Sequence, residues 1–199
     1  MSQVSLHQLL GHDKLVPVGT RLLGRGSFSA VYEPPTRHNR VLKVGCDPAT
    51  ALYLQADIGG RHVPRVYRRF CLDHTARDLP VFVYEMERLA PARRSVLPWS
   101  LTRLNKGVEQ TQWELRRESD ERWATLWIAI LAEAATKAPT RSVRHYLMGL
   151  SSFLASLTRT HPDLDVVCDG FTRRNVGARA DGTPVFFDPV FSQTALWRL

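Results

Sequence analysis

Cysteine is scarce: Cys46, Cys71 and Cys168 are odd in number, widely spaced and without a CxxC pair, which argues for a reducing, cytosolic setting. Long apolar runs are missing too. The best stretch, Trp123 to Ala135, is broken by Thr125 and Glu133, so no membrane span is expected. The opening Met-Ser-Gln-Val-Ser-Leu-His lacks the basic and apolar regions of a secretory signal, and a cytoplasmic location follows as the expectation. The seven histidines show no metal-ligand spacing, and no serine sits in a Gly-x-Ser-x-Gly elbow, so neither a zinc site nor a hydrolase triad has support. Lysine is rare as well; Lys14, Lys43, Lys106 and Lys137 are the only four.

What is present is an ordinary globular composition, 44% apolar and 23% charged over 199 residues, enough for one domain or two small lobes sharing a core. The net charge of +8 is carried almost wholly by arginine. Such a balance raises the expectation of an anionic partner: nucleic acid, nucleotide or an acidic protein face. A GC-rich coding sequence and a solvated surface explain it equally well. Trp113, Trp123 and Trp127 lie near Arg116, Arg117 and Arg122, a mixture found in nucleic-acid binders. The helical spacing of Trp123 and Trp127 favours core packing instead, so nucleic acid is not the expected partner.

From Val16 to Leu89 the chain reads as short strands separated by Gly, Pro, Asn and Asp. Strands are expected at Arg21–Leu23, Ala30–Tyr32, Arg40–Val44, Arg65–Phe70 and Pro80–Met86, with one short helix at Pro48–Ile58. They are too close together for βαβ units, which leaves an antiparallel sheet carrying one helix. Pro91, Arg93, Arg94 and Pro98 mark a linker. A helix follows at Asp120–Lys137, with Trp123, Trp127, Ile130, Leu131 and Ala134 on one face. Val143, Tyr146, Leu147, Leu150, Leu154 and Leu157 then give Ser142–Thr158 an amphipathic helical stripe. Short strands return at Asp165–Val167, Val176–Ala178 and Val185–Phe187, with Asp181-Gly182 a hairpin turn between the last two.

Four pieces of sequence carry chemistry. Gly24-Arg25-Gly26-Ser27-Phe28-Ser29-Ala30-Val31 lies between two expected strands, whereas Rossmann and Walker phosphate loops open onto a helix. Glycines there let a backbone approach a phosphate closely, though they also serve hairpin turns for purely structural reasons. Lys43, in Val41-Leu42-Lys43-Val44, is a lone ammonium in an apolar strand of an arginine-rich chain. It marks a place that needs an ammonium, or else an edge lysine reaching for water. Val81 to Leu89 is an apolar strand running into Met86-Glu87-Arg88-Leu89. Finally, Asp169 and Asn175 precede the hairpin, and Asp188 follows it, thirteen residues after Asn175. Carboxylate and amide oxygens suit a hard cation.

In this order the chain resembles the protein kinase superfamily over roughly residues 16 to 191. It is most similar to the small serine/threonine kinases of short-tailed bacteriophages. The features that carry the likeness are Gly-x-Gly-x-Phe-x-x-Val-Tyr, Val-Leu-Lys-Val soon followed by Asp-Pro, Met-Glu-x-Leu, and Asp-Pro-Val in place of Asp-Phe-Gly. The resemblance implies an α+β, kinase-like bilobal fold, with residues 1–89 an antiparallel N-lobe sheet plus one helix and 90–199 a reduced, mainly helical C-lobe. It implies ATP and Mg²⁺ as cofactors and a host protein hydroxyl as acceptor. Gly24, Gly26, Ser27, Phe28, Ser29 and Val31 would cover the nucleotide, and Lys43 would hold its α- and β-phosphates. Met86 would be the gatekeeper, with Glu87 to Leu89 the adenine-facing connector. Asp169 would take the hydroxyl proton, while Asn175 and Asp188 would bind Mg²⁺.

The chain departs from that pattern in four ways. No glutamate follows Lys43 in the short helix; Asp57, and after it Asp47, are the carboxylates on offer. The Asp169–Asn175 loop is one residue longer than usual, is preceded by Val167-Cys168 instead of His-Arg, and lacks the loop lysine, whose charge Arg173 or Arg174 would supply. Pro-Val replaces the Phe-Gly that follows the metal aspartate. Eleven residues follow Asp188, too few for an activation loop and a helical substrate platform. Two further readings therefore stand beside the kinase. One is a pseudokinase-like protein that binds and inhibits a host enzyme. The other is a small-molecule kinase of the aminoglycoside-phosphotransferase type, which usually has a larger helical region.

Overall fold

The computed structural model describes residues 16–56, 58, 60–72, 79–91, 121–169 and 174–198. They form a mixed α+β protein. Strands β1 (Arg21–Arg25), β2 (Ser29–Glu33), β3 (Arg40–Gly45), β4 (Val66–Leu72) and β5 (Val81–Glu87) make one antiparallel sheet in the order β1-β2-β3-β5-β4. The five expected strands are thus all present, most of them a residue or two longer than the apolar runs that announce them. The added residues, such as Arg25, Glu33 and Glu87, are polar and complete backbone pairing that hydropathy does not register.

The one helix of this half, α1 (Pro48–Tyr53), ends five residues short of the expected Ile58. Its start is well specified. Asp47 caps it, accepting from the Ala49 and Thr50 amides at 3.1 Å each, and Pro48 occupies the first turn, where no amide partner is needed.

Helix α2 (Glu121–Thr136) packs against α3 (Arg141–Thr160). Thr140 caps α3 through the Val143 amide at 3.2 Å. All six stripe residues of α3, from Val143 to Leu157, are buried as the spacing predicts. Each contributes about 2 kcal/mol of apolar transfer. On α2, Trp127, Leu131 and Ala134 are buried as expected and Ile130 is half-buried; the Trp123 side chain lies outside the described residues.

Past α3 come β7 (Val166–Cys168), β8 (Val176–Ala178), β9 (Pro184–Phe186), β10 (Val190–Ser192) and a last helix, α4 (Gln193–Arg198). The β8–β9 hairpin turns where Asp181-Gly182 predicts. The Gly182 amide closes on the Arg179 carbonyl at 2.9 Å with φ +80°, a left-handed position that favours glycine. β6 (Ala90–Pro91), β10 and α4 are not among the expected elements. β6 pairs with β8 and β10 with β7, two- and three-residue ladders too short to leave a periodic signature. Gly177 on β8 permits the first of these. A Cβ there would lie 2.6 Å from Leu89 Cβ.

One apolar core runs from Val41, Tyr84 and Met86 under the sheet, through Tyr53 of α1, into α2, α3, Phe186 and Val190. A smaller cluster joins Ala30, Val44, Val81 and Val83 of the sheet to Ala195 of α4. Many arginines are spent on the sheet: Glu33 pairs with Arg21 and Arg88, and Glu85 with Arg37 at 2.5 Å and Arg40 at 2.8 Å. Burial opposes ionisation of Glu85, but the two arginines outweigh it and hold the carboxyl below its usual range.

Candidate functional site

The glycine-rich segment is the β1–β2 hairpin. Gly26 N–H donates to Ser29 O at 2.8 Å, and Cys46 N–H to Phe28 O at 3.1 Å, which ties the turn to the end of β3. A Cβ on Gly24 would meet nothing within 4 Å, so the backbone there borders open space. That space is a cavity of about 510 Å³ under the hairpin, lined by Gly24, Gly26, Ser27, Phe28, Ser29 and Val31 from above and by Asp169, Asn175 and Asp188 from below. An adjoining cavity of about 730 Å³ shares Gly24, Val31 and Phe187 with it and is walled by Val41, Lys43, Met86, Glu87 and Leu89. Every residue assigned to the nucleotide, its metal or the hydroxyl proton by the resemblance therefore lines one of two touching cavities. One is polar and acidic at its floor, and the other is largely apolar.

Strand register explains much of this convergence. β3 places Lys43 between Val31 of β2 and Tyr84 of β5, with its side chain buried. The β7–β10 pairing sets Cys168 opposite Val190, and the Asp169 amide donates to Pro189 O at 3.0 Å. Two aspartates nineteen positions apart are thereby brought to one floor. Asn175 is fixed by its own amide, which donates to Asp169 O at 2.9 Å, while its backbone carbonyl accepts from Phe187 N–H at 3.1 Å. With the amide nitrogen used, the side-chain oxygen is what Asn175 has to offer a cation.

Lys43 Nζ lies 3.1 Å from Asp188 Oδ1 and 3.5 Å from the Phe187 carbonyl. Among the described residues, Asp188 is its ion-pair partner. The expectation that Asp47 could serve is overturned, because Asp47 is committed to capping α1 and to the Ser192 amide at 3.0 Å. Burial pushes the Asp47 carboxyl above its usual range, against the pull of these hydrogen bonds. Asp57 and Arg173 lie outside the described residues. Arg174 lines the 510 Å³ cavity and is exposed.

Several participants were invisible in the sequence. The Thr50 hydroxyl of α1 stands 2.6 Å from Asp47 Oδ2, 2.8 Å from Asp188 Oδ1 and 3.0 Å from Val190 O. The Asp47-Pro48 cap gives away the helix start, but not that its third residue reaches Asp188. Phe191 packs on Phe28 with ring centroids 5.6 Å apart, and Leu196 adds to the cavity wall. The Glu87 side chain is drawn away by Arg179, whose Nε donates to it at 3.0 Å. Glu87 N–H is used by Arg65 O and Arg88 N–H by Asn39 O, so those two donors of the connector face protein.

Among the described residues no three His, Cys, Asp or Glu side chains cluster as a self-sufficient cation site. Asp188 and Asn175 offer two oxygen-bearing side chains on one wall. That set fits Mg²⁺, which commonly takes one or two protein oxygens and completes its shell with phosphate and water. The open backbone at Gly24 and the buried ammonium of Lys43 likewise fit a polyphosphate. No protein-family model matches the chain, and no curated protein matches it.

Proposed function

We propose that this chain is an ATP- and Mg²⁺-dependent serine/threonine protein kinase of the minimal phage type, with a bilobal kinase-like fold, acting on host protein hydroxyls. The observation that carries the reading is the meeting of Lys43 with Asp188, under a glycine hairpin and beside an apolar slot ending at Met86 and Leu89. An adenine suits the apolar slot, and a triphosphate suits the cavity with the acidic floor. Asp188 and Asn175 would hold Mg²⁺, which supplies charge neutralisation for the transferring phosphoryl group. Lys43 orients the α- and β-phosphates. Asp169, at the cavity floor, accepts the acceptor's hydroxyl proton. The hairpin and Phe191 limit water above the phosphates.

A second reading draws on the same ion pair. Lys43 has Asp188 itself as its partner, and this pairing would also suit a pseudokinase-like protein that binds nucleotide and inhibits a host enzyme without transfer. The test is labelled ATP with host lysate, alongside thermal shift with ATP and Mg²⁺. Transfer by wild type that is lost in Lys43→Ala and Asp188→Ala supports the kinase. Binding without transfer by wild type selects the second reading, and transfer that survives Asp188→Ala overturns the site.

A further inference from the structure

We propose that Thr50 is the positioning residue of the metal-binding aspartate, Asp188. The proposal rests on the phosphotransfer reading above and deepens it. Lys43 Nζ and the Thr50 hydroxyl approach the same atom, Asp188 Oδ1, at 3.1 and 2.8 Å. Once Lys43 turns to phosphates, Thr50 is the side chain left holding that oxygen. Thr50 is itself held from two directions. It is buried at 5% exposure, and its hydroxyl also reaches Asp47 Oδ2, the cap of its own helix, and the Val190 carbonyl one step beyond Pro189. Asp47 in turn binds the Ser192 amide at 3.0 Å. The short helix, the aspartate and the strand after it therefore converge on one hydroxyl and one carboxyl. The hydroxyl carries one proton, so Asp188 Oδ1 competes for it with Asp47 Oδ2 and the Val190 carbonyl.

This arrangement makes a distinct demand. A glutamate–lysine pair orients the lysine, so its loss would weaken phosphate binding. A threonine–aspartate bond orients the metal ligand, so its loss must appear first in the requirement for Mg²⁺. Such outer-shell contacts are typically worth about 10- to 100-fold in metal affinity.

The experiment compares the full chain as wild type, Thr50→Val and Thr50→Ser, titrating Mg²⁺ at fixed ATP by calorimetry and thermal shift, with kcat and the KM for ATP measured at saturating Mg²⁺. Thr50→Val is expected to raise the Mg²⁺ concentration for half-maximal nucleotide binding by about 10- to 100-fold. Its kcat falls more than its KM rises, and Thr50→Ser restores wild-type behaviour. If Thr50→Val does not fold, Thr50→Cys replaces it with the same expected order. An unchanged Mg²⁺ requirement in the hydroxyl-less variant overturns the proposal, as does an equal loss in Thr50→Ser, which would assign the effect to the methyl group. Wild type that binds no nucleotide overturns the phosphotransfer reading, and this proposal falls with it.

Discussion

The α2–α3 helix pair and the Lys43–Asp188 floor are held together differently, and Asp188 is partly open to solvent where the helix core is closed. Between the helices the contacts are apolar, dense and non-directional, and the Ser151 hydroxyl bond to Ile128 O at 3.0 Å is a polar stitch across them. At the floor, Lys43, Asp47, Thr50 and Asp188 are polar groups whose partners must stand at set distances. Burying a charge is costly unless it is paired and hydrogen-bonded. The helices therefore tolerate wrong detail at a modest cost, while the floor tolerates very little.

The largest expected effect lies at the floor. Asp169→Asn should lower phosphotransfer by about 10²- to 10⁴-fold, the usual worth of a positioned base, with little change in melting temperature. Single-turnover kinetics beside a thermal scan check both halves. Leu150→Ala should do the reverse, costing about 2–5 kcal/mol in denaturant unfolding while nucleotide affinity of the folded fraction stays unchanged. If Leu150→Ala changed affinity as much as stability, the contrast between the two regions would fail.

Arg179→Met probes the join between β5 and the β8–β9 hairpin. It removes the guanidinium from the half-buried Glu87 carboxylate, which keeps the Arg65 amide at 2.9 Å, and about 2 kcal/mol of stability should be lost. Adding Glu87→Met should recover part of that loss, as a double-mutant cycle would measure.

A smaller effect comes from His62. Its Nδ1 lies 2.8 Å from Pro184 O, its Nε2 has no hydrogen-bond partner among the described residues, and burial lowers its affinity for a proton. The unfolded chain then binds the proton more readily, so folding stability is full above the ordinary histidine range and declines as pH falls through it. Chemical unfolding at several pH values should show this decline, and His62→Phe should flatten it. Smallest of all, Leu22→Ser on the exposed edge strand β1 should change stability by less than about 0.5 kcal/mol.

The sheet, the helix pair and the hairpin were legible because each is written in local periodicity or turn chemistry. All six α3 core residues and the turn at Gly182 followed from that alone. Most of the cavity-lining residues were legible too, since a glycine-rich hairpin, a lone strand lysine and spaced Asp and Asn stand out against their neighbours. What they would touch was not. Asp47 looked like a candidate partner for Lys43 and proved to be a helix cap, while the side chain of Glu87, at the wall of the 730 Å³ cavity, is tied to Arg179.

The sequence by itself determined the five strands of the sheet, the helix pair and the β8–β9 hairpin, and that Lys43 is unlike the other cations. Tertiary structure decided that Lys43 pairs with a residue 145 positions away, that Thr50 joins them, and that many arginines serve the glutamates of the sheet. The physical reason is reach. Periodicity and turn preference act over a few residues, whereas an ion pair in a buried floor exists only after β3, α1 and the β9–β10 corner have been packed against one another.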